Sequence, residues 1–408
     1  MQISPCAAAR ALTLLLAVAT LPAQAFARPG GARAAAPGVA QPNSFFPRGT
    51  GYPRPSSPGF SRPPTLDAGT INRQALLERI ANASGRLFDI VPPVPPDRAA
   101  NSLLPGYRVV RLGRKRNNRL CFAATVAGTR GLIMLDTGAS NTSLNAVTYR
   151  ALLLGGTSRL PAGVPKALSI NGRDAPMAEA PDFRVGASNL GAVPVSLIPR
   201  SYLQDGNEGE GQLYDGLFGQ NILRHYSAII DCARMLLYLD LDPAKKLDLA
   251  ASFARHGWTR VPMIDTGSHH LVSCVLNGRR YRLVVDTGAP FTCLDLNLLR
   301  DAGVVTHSLP VRQNLLGRDA EPVSFVDLGQ LQIGPYLARD VHMIATPQSL
   351  AAFAGRENRS TEEPVVGLLG GDLLAHHGAI IDIGNKALYL KPVASDDPSA
   401  ARDRTAQR

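Results

Sequence analysis

The 408-residue chain is poor in several residue types, and each shortage closes off a class of protein. It has one tryptophan and five cysteines, with no Cys-x-x-Cys pair and no Cys/His ligand spacing, so neither a zinc site nor a disulfide-built scaffold is expected. After the first 21 residues no apolar run approaches the ~20 residues of a membrane-spanning helix, and no membrane span is expected. Acidic residues are scarce early on: residues 28–119 hold 15 Lys and Arg against 4 Asp and Glu, whereas residues 120–408 hold 27 against 28. The formal charge of +11 therefore sits near the N-terminus, and the balanced remainder lacks the basic face of a nucleic-acid-binding domain.

Arg10, the apolar run Ala11 to Leu21, Pro22 and two overlapping Ala-x-Ala sites read as a secretory signal peptide over residues 1–27. Cleavage after Ala25 or Ala27 would export the protein to the periplasm or the medium. Such a compartment permits disulfides, and Cys121, Cys232, Cys274 and Cys293 leave three pairings open. Between Pro29 and Pro105 lie 14 of the 32 prolines, so residues 28–104 read as a disordered arm. Ile71, Leu76, Leu77 and Ile80 predict one short helix within it, over 70–84. The arm is expected to be a solvated tether touching anionic cell-surface polymers, with an inhibitory pro-segment as the alternative. Residues 396–408 read as a disordered tail.

An internal repeat decides the architecture. Residues 121–140 match 271–290 at an offset of 150, and the block Gly172-Arg173-Asp174-Ala175 recurs as Gly317-Arg318-Asp319-Ala320. Residues 216–239 match 367–390 at an offset of 151, with 12 of 24 positions identical. Two copies of one domain are therefore expected, over 105–243 and 257–395, joined by a linker at 244–256. Short apolar runs such as Leu132–Leu135, Leu283–Val285, Ala228–Ile230 and Ala379–Ile381 predict strands, and Asn277-Gly278 predicts a hairpin turn. A few helical stretches are expected, including Thr148–Leu154 and the segments just after Gly219 and Gly370, which gives an all-β class with minor helix.

Each copy places Asp-Thr-Gly-Ala straight after an apolar strand, at Asp136-Thr137-Gly138-Ala139 and Asp286-Thr287-Gly288-Ala289. A carboxylate on a tight turn at a strand end is held by packing, and glycine lets backbone N–H groups approach its oxygens. Two such turns in a duplicated fold predict copies that face each other across a pseudo-twofold axis and bring Asp136 and Asp286 together. Adjacent carboxylates cannot both ionise cheaply, so one keeps a proton. The ionised one can then take a proton from a trapped water while the other protonates a substrate carbonyl. That chemistry requires no metal and no cofactor, and a peptide bond suits it.

On these two motifs, and on Leu217-Phe218-Gly219 and Leu368-Leu369-Gly370 about 80 residues after each, the sequence resembles the retropepsin-like and pepsin-like aspartic proteases. The resemblance implies two tandem retropepsin-like β-barrel domains in a bilobal enzyme, an aspartic endopeptidase whose substrate is a polypeptide. It also implies supporting roles for Gly219 and Gly370, beside the residues of the turns themselves, Thr137, Gly138, Ala139, Thr287, Gly288 and Ala289, whose threonine hydroxyls can hydrogen-bond across to the partner loop and lock the pair. Gly172, Arg173, Asp174 and Gly317, Arg318, Asp319 would lie in or near flap hairpins. Alanine after each Asp-Thr-Gly, where pepsin-type enzymes usually have a hydroxyl residue, predicts activity nearer neutral pH. A monomer is expected, with a homodimer as the rival arrangement, and the alternative function is a non-catalytic exported peptide-binding protein.

Several other residues read as structural. A third Asp-Thr-Gly, Asp265-Thr266-Gly267-Ser268, follows Pro262, which is expected to interrupt the preceding strand, and reads as a turn. His225 and His376 are expected to pack or cap helix ends, Asp231 and Asp382 to sit in turns, and Trp258 to fill the core. Cys293 is expected to be structural.

Overall fold

The computed structural model describes residues 107–392, apart from 116–117, 155–159, 162, 171–172, 204–213, 241–249, 314–320, 340 and 348–362. The signal peptide, the arm with its helix at 70–84, and the tail at 396–408 lie outside the described residues, as do Gly172, Gly317, Arg318 and Asp319.

The fold is mostly β with a few short helices, and two mixed sheets of ten strands each carry most of it. The sheets are built from equivalent pieces. In the first copy the hairpin Leu120–Val126/Thr129–Leu135 turns at Ala127 and Gly128, and in the second His270–Leu276/Arg279–Val285 turns at Asn277 and Gly278. All four turn residues have positive φ, the type I′ geometry that matches strand twist. The second strand of each hairpin then pairs in parallel with the strand that ends in the second motif: Leu135 opposite Phe218, and Val285 opposite Leu369. Buried on both faces, Ile133–Leu135 and Leu283–Val285 read as the continuous apolar runs expected of interior strands.

A third sheet, of six strands, is shared by the copies. Tyr107–Arg111, Leu236–Asp240 and Ile229–Asp231 come from the first, and Ile380–Asp382, Ala387–Leu390 and Thr259–Pro262 from the second. The two halves meet antiparallel with Ile230 opposite Ile381, so the pseudo-twofold axis runs between two buried isoleucines. Pro262 does not break its strand. It is the last residue of Thr259–Pro262, at the sheet edge, where a missing N–H is tolerated.

Helices span Arg150–Leu154, Gln220–His225 and Gly371–His376, as expected, and also Leu296–Asp301, capped by the Asp295 carboxylate on Asn297 N and Leu298 N. A further helix, Ala250–Arg255, lies inside the stretch read as a plain linker. Its alanines favour helix, and Phe253 gives it an apolar anchor against Trp258 and Tyr389. Trp258 packs beside that cluster and donates from Nε1 to the Gly378 carbonyl at 3.0 Å. Cys121, Cys232, Cys274 and Cys293 are all buried free thiols. Among the described residues no helix is long and apolar enough to cross a membrane.

Candidate active site

The two Asp-Thr-Gly turns interlock. Thr137 Oγ1 donates to the Val285 carbonyl at 2.7 Å and accepts from Thr287 N at 3.0 Å. Reciprocally, Thr287 Oγ1 donates to the Leu135 carbonyl at 2.8 Å and accepts from Thr137 N at 3.1 Å. Each threonine therefore satisfies the strand end of the opposite copy, and because all four bonds are buried none can be exchanged for water without loss. Asp136 Oδ1 accepts from Gly138 N and Ala139 N, both at 2.9 Å. Asp286 Oδ1 accepts from Gly288 N at 2.8 Å and Ala289 N at 3.2 Å.

Glycine is required at 138 and 288 by what lies opposite. A Cβ on Gly138 would strike the Asp286 carboxylate, and one on Gly288 would strike that of Asp136. The carboxylates are thus packed crosswise, each over the other's loop, and lie within hydrogen-bonding reach of each other. Burial and the neighbouring Asp286 charge push Asp136 up to about 8, against the pull of the Arg119 guanidinium and the Gly138 N–H.

The second motifs hold the turns from behind. Asp136 N donates to the Phe218 carbonyl at 3.1 Å and Asp286 N to that of Leu369 at 3.0 Å. Gly219 N and Gly370 N donate to Thr142 Oγ1 and Thr292 Oγ1, and any Cβ at either glycine would run into the backbone of Asn141 or Phe291. Next to them the copies differ. Asn221 accepts from Thr142 N and Oγ1, whereas Asp372 does the same for Thr292, with burial raising the Asp372 carboxyl to about 6.

Arg173 and Asp174, both exposed, open the strand Arg173–Ala180, which pairs antiparallel with Ala167–Ile170. From this strand pair Ile170 and Ala175 join a cluster with Met134 and Leu217, next to the first turn and its second motif. In the second copy Leu309 and Val323 pack likewise with Val284, Ala289 and Phe291. His225 and His376 close the last turns of their helices, exposed and edge-on to Tyr226 and His377. Asp231 and Asp382 accept from Arg234 N and Asn385 N in the turns that follow them. Cys293 Sγ lies 3.7 Å from Thr346 Oγ1, where the first copy has Ser143 Oγ 2.7 Å from Ser196 Oγ. No group of three His, Cys, Asp or Glu side chains able to hold a metal occurs among the described residues.

Sequence reasoning missed Arg119, whose Nε donates to the Gly288 carbonyl at 2.7 Å beside both carboxylates. It enters the sequence reading only as one charge of the basic stretch 28–119, although it lies 17 residues before Asp136, at the entrance of the hairpin that carries the motif.

A family model described as aspartyl protease matches residues 272–373, which contain the second Asp-Thr-Gly and its second motif. The solved structure of basic 7S globulin from soybean is similar over 70% of this chain and 94% of its own, at 10% identity and a TM-score of 0.40. No curated protein matches the sequence.

Proposed function

We propose, from a chain whose residues 272–373 match a family model described as aspartyl protease, that this protein is an exported aspartic endopeptidase with one site built from both copies. The observation that carries the reading is the crosswise packing of Asp136 and Asp286 over each other's glycines, fixed by the reciprocal threonine bonds. In such a pair one proton is shared. The proton belongs to the pair, so one carboxyl is protonated and the other ionised. The ionised carboxylate takes a proton from a water lying between the two, the resulting hydroxide attacks the peptide carbonyl carbon, and the protonated carboxyl protonates the carbonyl oxygen. Collapse of the tetrahedral intermediate with proton transfer to the amide nitrogen releases the two fragments and restores the pair. The Arg119 guanidinium supports this by holding the Gly288 carbonyl and opposing excess negative charge at the site.

The test is cleavage of a mixed peptide library across pH, with and without a statine-type inhibitor. Cleavage that the inhibitor abolishes is expected. No cleavage at any pH, with or without the arm, would instead favour a non-catalytic peptide-binding protein.

A further inference from the structure

The third Asp-Thr-Gly is a turn, as its sequence implies, but it also reaches the other copy. Gly267 N donates to Asp265 Oδ1 at 2.9 Å, Thr266 N to the His269 carbonyl at 3.0 Å, and His269 N to Thr266 Oγ1 at 3.0 Å. This turn of the second copy is gripped by the first. Arg224, on the helix Gln220–His225, donates through Nη2 to Asp265 Oδ1 at 2.7 Å and through Nη1 to the Gly267 carbonyl. Lys386 Nζ lies 3.5 Å from Asp265 Oδ2.

From that mount the His269 ring crosses to the first copy, where Nε2 lies 2.8 Å from the Gly138 carbonyl oxygen. A carbonyl can only accept, so Nε2 carries the proton. The Gly138 carbonyl and the Ala139 N–H belong to one planar trans peptide and point in opposite directions. That N–H is one of the two donors to Asp136 Oδ1. Holding the carbonyl at one end therefore fixes where the N–H points at the other, and polarising the peptide strengthens it as a donor. Across the pseudo-twofold axis Arg119, 150 residues before His269, does the same to the Gly288 carbonyl, whose peptide ends in the Ala289 N–H on Asp286.

We propose that His269 is a positioning residue for the paired carboxylates, aiming the Gly138–Ala139 peptide at Asp136 from a turn that Asp265 and Arg224 fasten across the two copies. As a role in catalysis this rests on the endopeptidase reading. The hydrogen bond itself does not.

His269→Ala should lower kcat about tenfold and leave KM within about twofold, the effect of one lost positioning bond. His269→Gln, whose amide N–H can donate to the same carbonyl, should restore most of kcat. Hydrogen exchange gives a readout that needs no activity: in His269→Ala the Ala139 amide should exchange about tenfold faster while Ala289 stays as in the wild type. An unchanged kcat, failure of the glutamine variant to recover it, or equal acceleration at Ala139 and Ala289 would overturn the proposal. If the wild type cleaves nothing, the endopeptidase reading fails, and selective exchange at Ala139 still decides whether His269 holds this peptide.

Discussion

The carboxylates at 136 and 286 leave no room for a side chain on the glycine two residues along in the opposite copy. Gly138→Ala and Gly288→Ala should therefore each displace an aspartate that they do not neighbour in sequence, and lower kcat about a hundredfold or more, as small misplacements at a reacting centre do. Steady-state kinetics on both variants checks this. The pH dependence follows from the raised Asp136. A folded-state pKa above the unfolded value means the native protein binds that proton more tightly, so the contribution to stability is full below about pH 4 and lost as pH rises toward about 8. Asp372 adds to the same slope over a narrower window, ending near about 6. Urea denaturation across pH should show stability falling through this range, and Asp136→Asn should flatten the slope. Activity should persist to neutral pH, because the singly protonated pair is the working form. An optimum below about pH 3.5 would contradict the raised pair. The shift arises from burial and from Asp286, causes more direct than the missing hydroxyl after each Asp-Thr-Gly.

The elements that carry the site were legible in the sequence for a physical reason. An unbroken apolar run without proline ending in Asp-Thr-Gly suits an interior strand feeding a tight turn, and the strands ending at Leu135 and Val285 are buried and paired as their composition demands. Of the bonds between elements, the threonine hydroxyls reaching across to the opposite copy were legible and the rest were not. Arg119 and His269 occupy equivalent places but share no chemistry by name, so an identity match passes over them, and only the carbonyl each one holds reveals the kinship. Arg224 has no counterpart, since alanine stands at 375 in the second helix, and its grip on Asp265 depends on how the copies meet. The threonines are where the elements lock. Thr137→Val would leave the Val285 carbonyl and Thr287 N–H buried and unpaired, costing about 2–4 kcal/mol, whereas Thr137→Ser keeps the hydroxyl and should cost much less. Denaturation midpoints of the two variants measure the difference.

At the scale of the whole molecule the duplicated offset foretold a twofold arrangement, but not a sheet built by both copies. Ile230 and Ile381 pair at its centre because Ala-Ile-Ile-Asp occurs in each copy, a signal that was read as two separate strands. The excess positive charge also divides differently from its sequence reading. Arg108, Arg111, Arg114 and Arg119 belong to the folded body, and Arg119 reaches the carboxylates. With both copies woven into one sheet, the proposed site is formed by the two aspartates of a single chain. Hydrolysis of a peptide library by the wild type, Asp136→Asn, Asp286→Asn and an equimolar mixture of the two variants tests this most directly. Cleavage by the wild type alone is expected, with both variants and their mixture inactive. Full activity in either single variant, or activity regained on mixing, would contradict a site shared within one chain.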